Sequence, residues 1–298
     1  MKLVTVTCNK DFKQLILLAE SVSLFVDDPI EHVVIVNEDD VNLIDWYKHL
    51  KKYYTKHTLT LLNKFDYDYQ SLLIPRDLNY NSVSGWYTQQ LQKLLIAYFI
   101  DDDYVVIDSK NFFIRNCKLS QWDNVVGNFI TYLKYDPNID LRWDLTNKYY
   151  AEFFNTDPIY EMPSFTTPFK INRNLITEAT QFTFDTLGKC VFYPLLKRED
   201  IKLYVSEFIF YNYLCHVNNI EFICKDAPKI MGIWFEDKYT NPQILLEKII
   251  EMFHKNQNVT LASIHRHVLN SPEMMNNSID FVKILNLNLE YLGFENKF

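Results

Sequence analysis

Three short polar segments, each following an apolar run, carry the side chains best suited to chemistry: Thr7-Cys8-Asn9-Lys10-Asp11, Asn37-Glu38-Asp39-Asp40 and Asp108-Ser109-Lys110-Asn111. Carboxylates, ammonium groups, amides and hydroxyls gathered in one place can bind a hydroxylated or phosphorylated ligand. In an open α/β sheet ligands sit at the carboxyl ends of the strands, where all three segments would fall. A single polar strand end is commonly a solvated loop. Three in register favour a ligand site over that alternative.

A fourth stretch, Ser84-Gly85-Trp86-Tyr87-Thr88-Gln89-Gln90-Leu91-Gln92-Lys93, reads as the start of a helix capped by Ser84. At about 100° per residue, Tyr87, Leu91, Leu94, Leu95 and Tyr98 form the apolar face. Trp86, Gln90, Lys93 and Ala97 then fall on a second line, expected to face the ligand crevice; the alternative is a solvated face with a partly buried Trp. A glycine before the helix and an amide-rich first turn suit recognition of hydroxylated or phosphorylated ligands. Glu207 stands in an otherwise apolar helical stretch, 204–217, so it must face a cavity or find a partner such as Lys202 or Arg198.

The elements that would position these groups begin with β-rich runs at 3–7, 32–37, 58–62 and 104–107, alternating with helix-period segments at 12–25, 41–54 and 86–99. Strand and helix in alternation, with near-continuously apolar strands, predict a mostly parallel, Rossmann-type sheet with helices on both faces. Beyond residue 115 the order is less regular. Helices are expected at 121–133, 145–154, 174–187, 204–217, 242–255 and 272–292, and strands at 190–193, 220–224, 229–235 and 259–264. A polar, proline-containing stretch at 155–170 separates them. With no internal repeat, low-complexity block or hinge-like linker, one continuous α/β domain over 1–298 is preferred to a cut near residue 115.

Composition narrows the function. The chain has 298 residues, 48% hydrophobic and 23% charged, which rules out a wholly disordered protein. A net charge of −8 and a pI of about 5.4 speak against nucleic acid as a partner, since phosphate-backbone binding needs clustered Lys and Arg. Only 5 Gly stand against 22 Phe and 20 Tyr, so no glycine-rich phosphate loop can be drawn. Cysteines 8, 117, 190, 215 and 224 are scattered and never spaced as Cys-x-x-Cys, which reads as reduced thiols of a cytoplasmic protein. Met1 to Thr7 alternates and turns polar too soon for a signal-peptide core, and no apolar run approaches the ~20 residues of a membrane span. A soluble chain without a transmembrane segment is expected.

The residues also resemble a family. Thr5-Val6-Thr7-Cys8-Asn9, Gly85-Trp86 followed by Gln89-Gln90 and Lys93, and Tyr104-Val105-Val106-Ile107-Asp108-Ser109-Lys110-Asn111 look like the GT-A-type glycosyltransferase-like proteins of bacteria and their phages. The likeness is closest to a branch in which the last motif reads Asp-Ala/Ser-Lys-Asn where most GT-A enzymes have Asp-X-Asp. It continues through Thr167-Pro168-Phe169, Ser206-Glu207-Phe208 with Tyr211, and Ile264-His265-Arg266.

The resemblance implies a GT-A-like fold and a nucleotide-sugar donor as co-substrate. It divides the domain into a nucleotide-binding half, 1–115, and an acceptor-side half, 116–298. Thr7, Cys8, Asn9, Asn37, Glu38 and Asp39 would hold base and ribose, with Gly85, Trp86, Gln89, Gln90, Lys93, Ser109, Asn111, His265 and Arg266 completing the donor site. In such folds Asp-X-Asp places a divalent Mn or Mg on the diphosphate. Here Lys110 replaces the second carboxylate, and an ammonium beside a lone Asp108 repels a cation. Lys110, helped by Lys93 or Arg266, is expected to neutralise the departing diphosphate itself; a cation held by Asp108 and His265 is the other option.

Glu207 is the candidate base for an acceptor hydroxyl. His265-Arg266-His267 lacks the further ligands of a structural zinc site, because adjacent side chains in an extended segment point to opposite faces. Trp143, Tyr149, Tyr150, Phe153 and Phe154 would serve either for stacking on sugar rings or for core packing. The expected function is transfer of a sugar from a nucleotide donor to a saccharide or other hydroxylated acceptor, for instance in surface polysaccharide synthesis. The competing reading is a non-catalytic nucleotide- or glycan-binding module on the same fold.

Overall fold

The computed structural model describes residues 1–37, 42–63, 85–123, 127–128, 132–134, 141–163, 166–179, 206–221, 229–233, 247, 251 and 259–264. Three β-branched runs open the chain as parallel strands: β1 (Lys2–Thr7), β2 (Glu31–Val36) and β3 (Thr58–Asn63). Between them lie α1 (Phe12–Phe25) and α2 (Leu43–Lys51). Asn42 caps α2, its side-chain oxygen accepting from the amides of Ile44 and Asp45. The helix α3 (Gly85–Leu95) tightens into a 3-10 turn at Ile96–Tyr98 before β4 (Tyr104–Val106) pairs parallel to β1.

Among the described residues the main sheet has six strands, in the order β3-β2-β1-β4-β9-β6. Its last two members, β6 (Gly127–Asn128) and β9 (Phe169–Ile171), come from the second half of the chain. Only β9 runs against the others, antiparallel to both β4 and β6. Strand β5 (Asn111–Phe113) leaves this sheet for a second one, where β11 (Val259–Ile264) joins it to β10 (Lys229–Ile233). A small ribbon pairs β7 (Tyr132–Lys134) with β8 (Glu161–Pro163). Helix α4 (Leu141–Phe154) precedes β8, residues 173–179 are helical, and α5 (Glu207–Val217) begins at Ser206, whose hydroxyl accepts from the amide of Phe208.

Alternation along the strands splits the core in two. Val4, Val6, Val33, Ile35 and Val106 face α3, α4 and α5. Leu3, Val34, Val36, Val105 and Ile107 face the opposite way, onto Leu15 and Leu18 of α1 and Trp46 and Leu50 of α2. Helices thus cover both faces, and because β1 and β2 are buried on both sides they read as near-continuous apolar runs, whereas β3 is only partly buried. Burial of this kind stabilises by ~25 cal/mol per Å² of apolar surface. On the α1/α2 face a buried polar chain interrupts the hydrocarbon, with Thr5 Oγ1 2.9 Å from His32 Nε2 and His32 Nδ1 2.6 Å from the Tyr54 hydroxyl.

The helix expected at 121–133 is not formed. A 3-10 turn at Leu119–Trp122 ends there, and β6 and β7 follow. Val125, Val126, Ile130, Thr131 and Tyr132 are strand-favouring residues around Gly127, which weakens a helix. The stretch 155–170, expected to be irregular, supplies β8 and the start of β9. Ile220 and Glu221 lie outside regular structure, and the rest of the strand expected at 220–224 falls outside the described residues, as do 190–193 and 272–292.

Candidate active site

The strand ends at the carboxyl edge of β1 and β4 enclose a cavity of about 380 Å³. Val6 of β1, Cys8 and Asp11 of the turn that follows, and Gln14 of α1 line one side of it. Gln89, Gln90 and Lys93 line it from α3, and Asp108, Ser109 and Lys110 from the loop after β4. That loop is closed by the Asn111 amide donating to the Asp108 carbonyl at 2.9 Å, and the Ile107 amide extends the β1 ladder to the Val4 carbonyl. Two sequence positions far apart are thereby fixed against each other by backbone alone.

Four charges alternate along one side of the cavity. Lys93 Nζ lies 2.8 Å from Glu207 Oε1 and 3.0 Å from Asp108 Oδ1, and Lys110 Nζ lies 3.0 Å from Asp108 Oδ2. Glu207 is 2% exposed, whereas the Asp108 and Lys110 side chains are 26% and 31% exposed, so the row runs from the core to the cavity surface. Burial alone would discharge Lys93, but the Asp108 and Glu207 carboxylates outweigh it and hold its pKa above the ordinary lysine value. Burial likewise pushes Asp108 up, and the Lys93 and Lys110 ammonium groups override that, leaving its carboxyl well below the usual range.

Neighbouring groups hold this row in place. The Glu207 amide donates to Gln90 Oε1 at 2.9 Å, tying the start of α5 to α3. The Tyr104 hydroxyl donates to the Lys93 carbonyl at 2.8 Å. The Lys93 ammonium sits 5.1 Å from the centroid of the Phe208 ring, which stacks on Phe169 at 4.2 Å. Thr167, Phe169, Ser206, Glu207 and Tyr211, scattered in sequence, are all buried, and Tyr211 packs edge-on against Phe169.

Of the residues singled out from sequence, the structure brings Cys8, Gln89, Gln90, Lys93, Asp108, Ser109 and Lys110 together at the cavity. Ala97 departs from that line: the 3-10 turn carries it into the core, where it is fully buried. Asn37 does not line the cavity; its Oδ1 accepts from Gln92 Nε2 at 3.2 Å, bracing β2 against α3. Asn9 is exposed in the turn before α1, and Thr7 is fully buried with its hydroxyl unpartnered. Asn111 is buried and donates to Thr167 Oγ1 at 3.1 Å. Gly85 begins α3, while the Trp86 side chain, Glu38, Asp39, His265 and Arg266 lie outside the described residues.

Two findings were not foreseen. Gln14 lines the cavity, and its signal was a polar side chain beside Leu15 and Leu18 three residues after Asp11. Glu207 pairs with Lys93 and lies behind that lysine without lining the cavity, while Lys202 and Arg198, the partners considered from sequence, fall outside the described residues. Glu207 was expected to face a cavity or find a partner, and it is buried with Lys93 at 2.8 Å.

A divalent cation needs oxygen ligands free to turn toward it. Each oxygen of Asp108 already receives an ammonium group, and among the described residues no three His, Cys, Asp or Glu side chains gather in one place. The residues described here do not fit a GT-A-type metal centre.

Comparison with solved structures places the fold among the GT-A-type glycosyltransferases. The WbbM bifunctional glycosyltransferase, in its apo form, matches with a TM-score of 0.52 at 12% identity, over 93% of this chain and 50% of that one. The chain therefore spans half the length of that protein. Mouse xyloside xylosyltransferase 1, also apo, matches with a TM-score of 0.51 at 9% identity, over 91% of this chain and 98% of that one. A third structure, core-mannan synthase A from Aspergillus fumigatus in a Mn/GDP form, has a TM-score of 0.45 at 10% identity, over 76% of this chain and 70% of that one. Nothing about the site rests on that likeness. Residues 3–141 match a family described as a family of unknown function, DUF6492. No curated protein matches the sequence. Among the described residues no helix is long and apolar enough to cross a membrane.

Proposed function

We propose that the chain is a glycosyltransferase that moves a sugar from a nucleotide-sugar donor to a saccharide or other hydroxylated acceptor, in the assembly of a surface polysaccharide. The observation that carries this reading is the row Glu207–Lys93–Asp108–Lys110, which runs from the core to the surface of a polar cavity at the strand ends of a GT-A-like sheet. Breaking the bond between sugar and diphosphate leaves negative charge on the departing phosphate, and a preorganised ammonium group stabilises that charge as it develops. Lys110, the outermost member, is placed to do so.

The inner members make this exchange tolerable. When a diphosphate takes Lys110, Asp108 keeps Lys93 as its counter-charge, so no carboxylate is left unpaired in a half-buried site. Glu207 fixes Lys93 from behind and is a positioning residue. Gln89 and Gln90 offer amide donors and acceptors to the donor's phosphates or sugar hydroxyls. Charge on the leaving group is handled by side chains of this chain, without a metal.

The test is turnover of a panel of nucleotide sugars with and without EDTA, for the unaltered chain and for Lys110→Ala and Asp108→Ala. Transfer that persists in EDTA and falls at least about a hundredfold in Lys110→Ala, as for loss of one preorganised donor, supports the reading. Nucleotide binding without turnover on any donor would replace it with the binding-module alternative.

A further inference from the structure

Away from the cavity, α2 presents an uncovered face of mixed character. Ile44 is the most exposed large apolar side chain among the described residues, at 67%, and Tyr47, one turn on, is 41% exposed. At about 100° per residue these two share an arc with Lys48 and Lys51, opposite the buried Trp46 and Leu50 that anchor the helix to α1 and the sheet. Lys52 and Lys56 are also exposed just beyond the helix, with the Lys52 ammonium 4.9 Å from the centroid of the Tyr53 ring. The face lies at the molecular edge, because α2 packs beside β3, the outer strand of the main sheet.

Charge separates this region from the rest of the chain. The whole protein carries a net charge of −8, yet residues 43–57 hold four lysines against the single carboxylate of Asp45. Asp45 lies 3.8 Å from Lys48, both exposed, a pairing too weak to cancel the local excess. Glu38, Asp39 and Asp40 precede the helix in sequence, so the basic character belongs to its later turns.

We propose that this face of α2 docks on an anionic lipid surface, with Ile44 and Tyr47 entering the interface and Lys48, Lys51, Lys52 and Lys56 facing the headgroups. A stable protein interface needs roughly 800 Å² per partner, and one isoleucine with one half-exposed tyrosine falls far short of its apolar centre. A lipid surface asks for less. Tyrosine sits well at the headgroup level, and each lysine near an anionic surface multiplies affinity about fivefold. The binding is reversible and weakens with salt. It is independent of what the cavity binds.

The full chain is co-sedimented with vesicles of phosphatidylcholine alone and with vesicles that also contain phosphatidylserine, at low and high salt. Binding to the anionic vesicles only, reduced by salt, is the expected result. The triple variant Lys48→Ala, Lys51→Ala, Lys52→Ala should lose about a hundredfold in affinity, and Ile44→Ser with Tyr47→Ser should weaken binding without changing its salt dependence. All five positions are on the outer surface, so unchanged melting temperatures verify that the variants fold. A dye attached at Ile44→Cys should shift to the blue on anionic vesicles. Failure to bind either vesicle, indifference to headgroup charge, or variants that bind like the unaltered chain would overturn the proposal. So would finding that the α2 substitutions abolish self-association and leave vesicle binding untouched.

Discussion

Replacing Lys93 by Met removes the charge that sits between two carboxylates while keeping most of the side-chain volume. Among the described residues Glu207 is then left with no counter-charge in a site 2% exposed to solvent, and Asp108 retains only Lys110. Removing one partner of a buried ion pair costs about 3–5 kcal/mol, which for a chain of this size lowers the melting temperature by about 5–8 °C. The single change Glu207→Leu should cost less, because Lys93 still has Asp108 at 3.0 Å. In the double variant the unpaired carboxylate is gone, so the loss should fall below the sum of the single losses, with a coupling of at least about 2 kcal/mol. Urea denaturation of the four proteins gives the cycle directly. A Lys93→Met cost under about 1 kcal/mol, or losses that add without coupling, would refute the view that Lys93 is held as an ion between these groups.

Burial, with a smaller push from His57, drives the His32 pKa down to about 3, so the unfolded chain binds a proton there below about pH 6.5 that the folded chain does not. Stability should therefore fall as pH drops through that window, by up to ~1.4 kcal/mol per pH unit from this group, and His32→Gln should flatten the slope between pH 6 and 4 in urea melts; an unchanged slope would count against a buried neutral imidazole. Tyr104→Phe deletes the hydroxyl bonded to the Lys93 carbonyl and should cost ~1–2 kcal/mol in the same assay while leaving nucleotide affinity within about twofold. Lys110→Ala should leave the melting temperature nearly unchanged, because Asp108 keeps Lys93, yet it should abolish stabilisation by added nucleoside diphosphate; a large loss of stability would mean that Lys110 serves the fold and not a ligand.

Much of the frame was legible in the residues because local physics settles it. β1 and β2 stand within a residue or so of their expected bounds, since β-branched runs buried on both faces admit little else; β3, only partly buried, does so too, and α1 runs from Phe12 to Phe25 as its periodicity requires. Gln90 and Lys93 were placed at the crevice by helical spacing alone. Local pattern fails where partners are distant. Nothing near Glu207 in sequence points to Lys93, more than a hundred residues earlier, and the candidates Lys202 and Arg198 were favoured by proximity along the chain. The stretch 121–133 failed for another reason: its apolar residues fit a helix by spacing, but pairing of Gly127 and Asn128 with β9 overrides that preference.

In the proposed function the Asp108–Lys110 end of the charged row receives the diphosphate of a nucleotide donor. A crystal of the chain soaked with UDP or GDP in the presence of EDTA addresses it most directly. The account predicts phosphate oxygens within hydrogen-bonding distance of Lys110 Nζ, with Asp108 still bonded to Lys93. A nucleotide bound elsewhere, or one whose phosphates turn away from Lys110 toward a metal ion once EDTA is omitted, would contradict it.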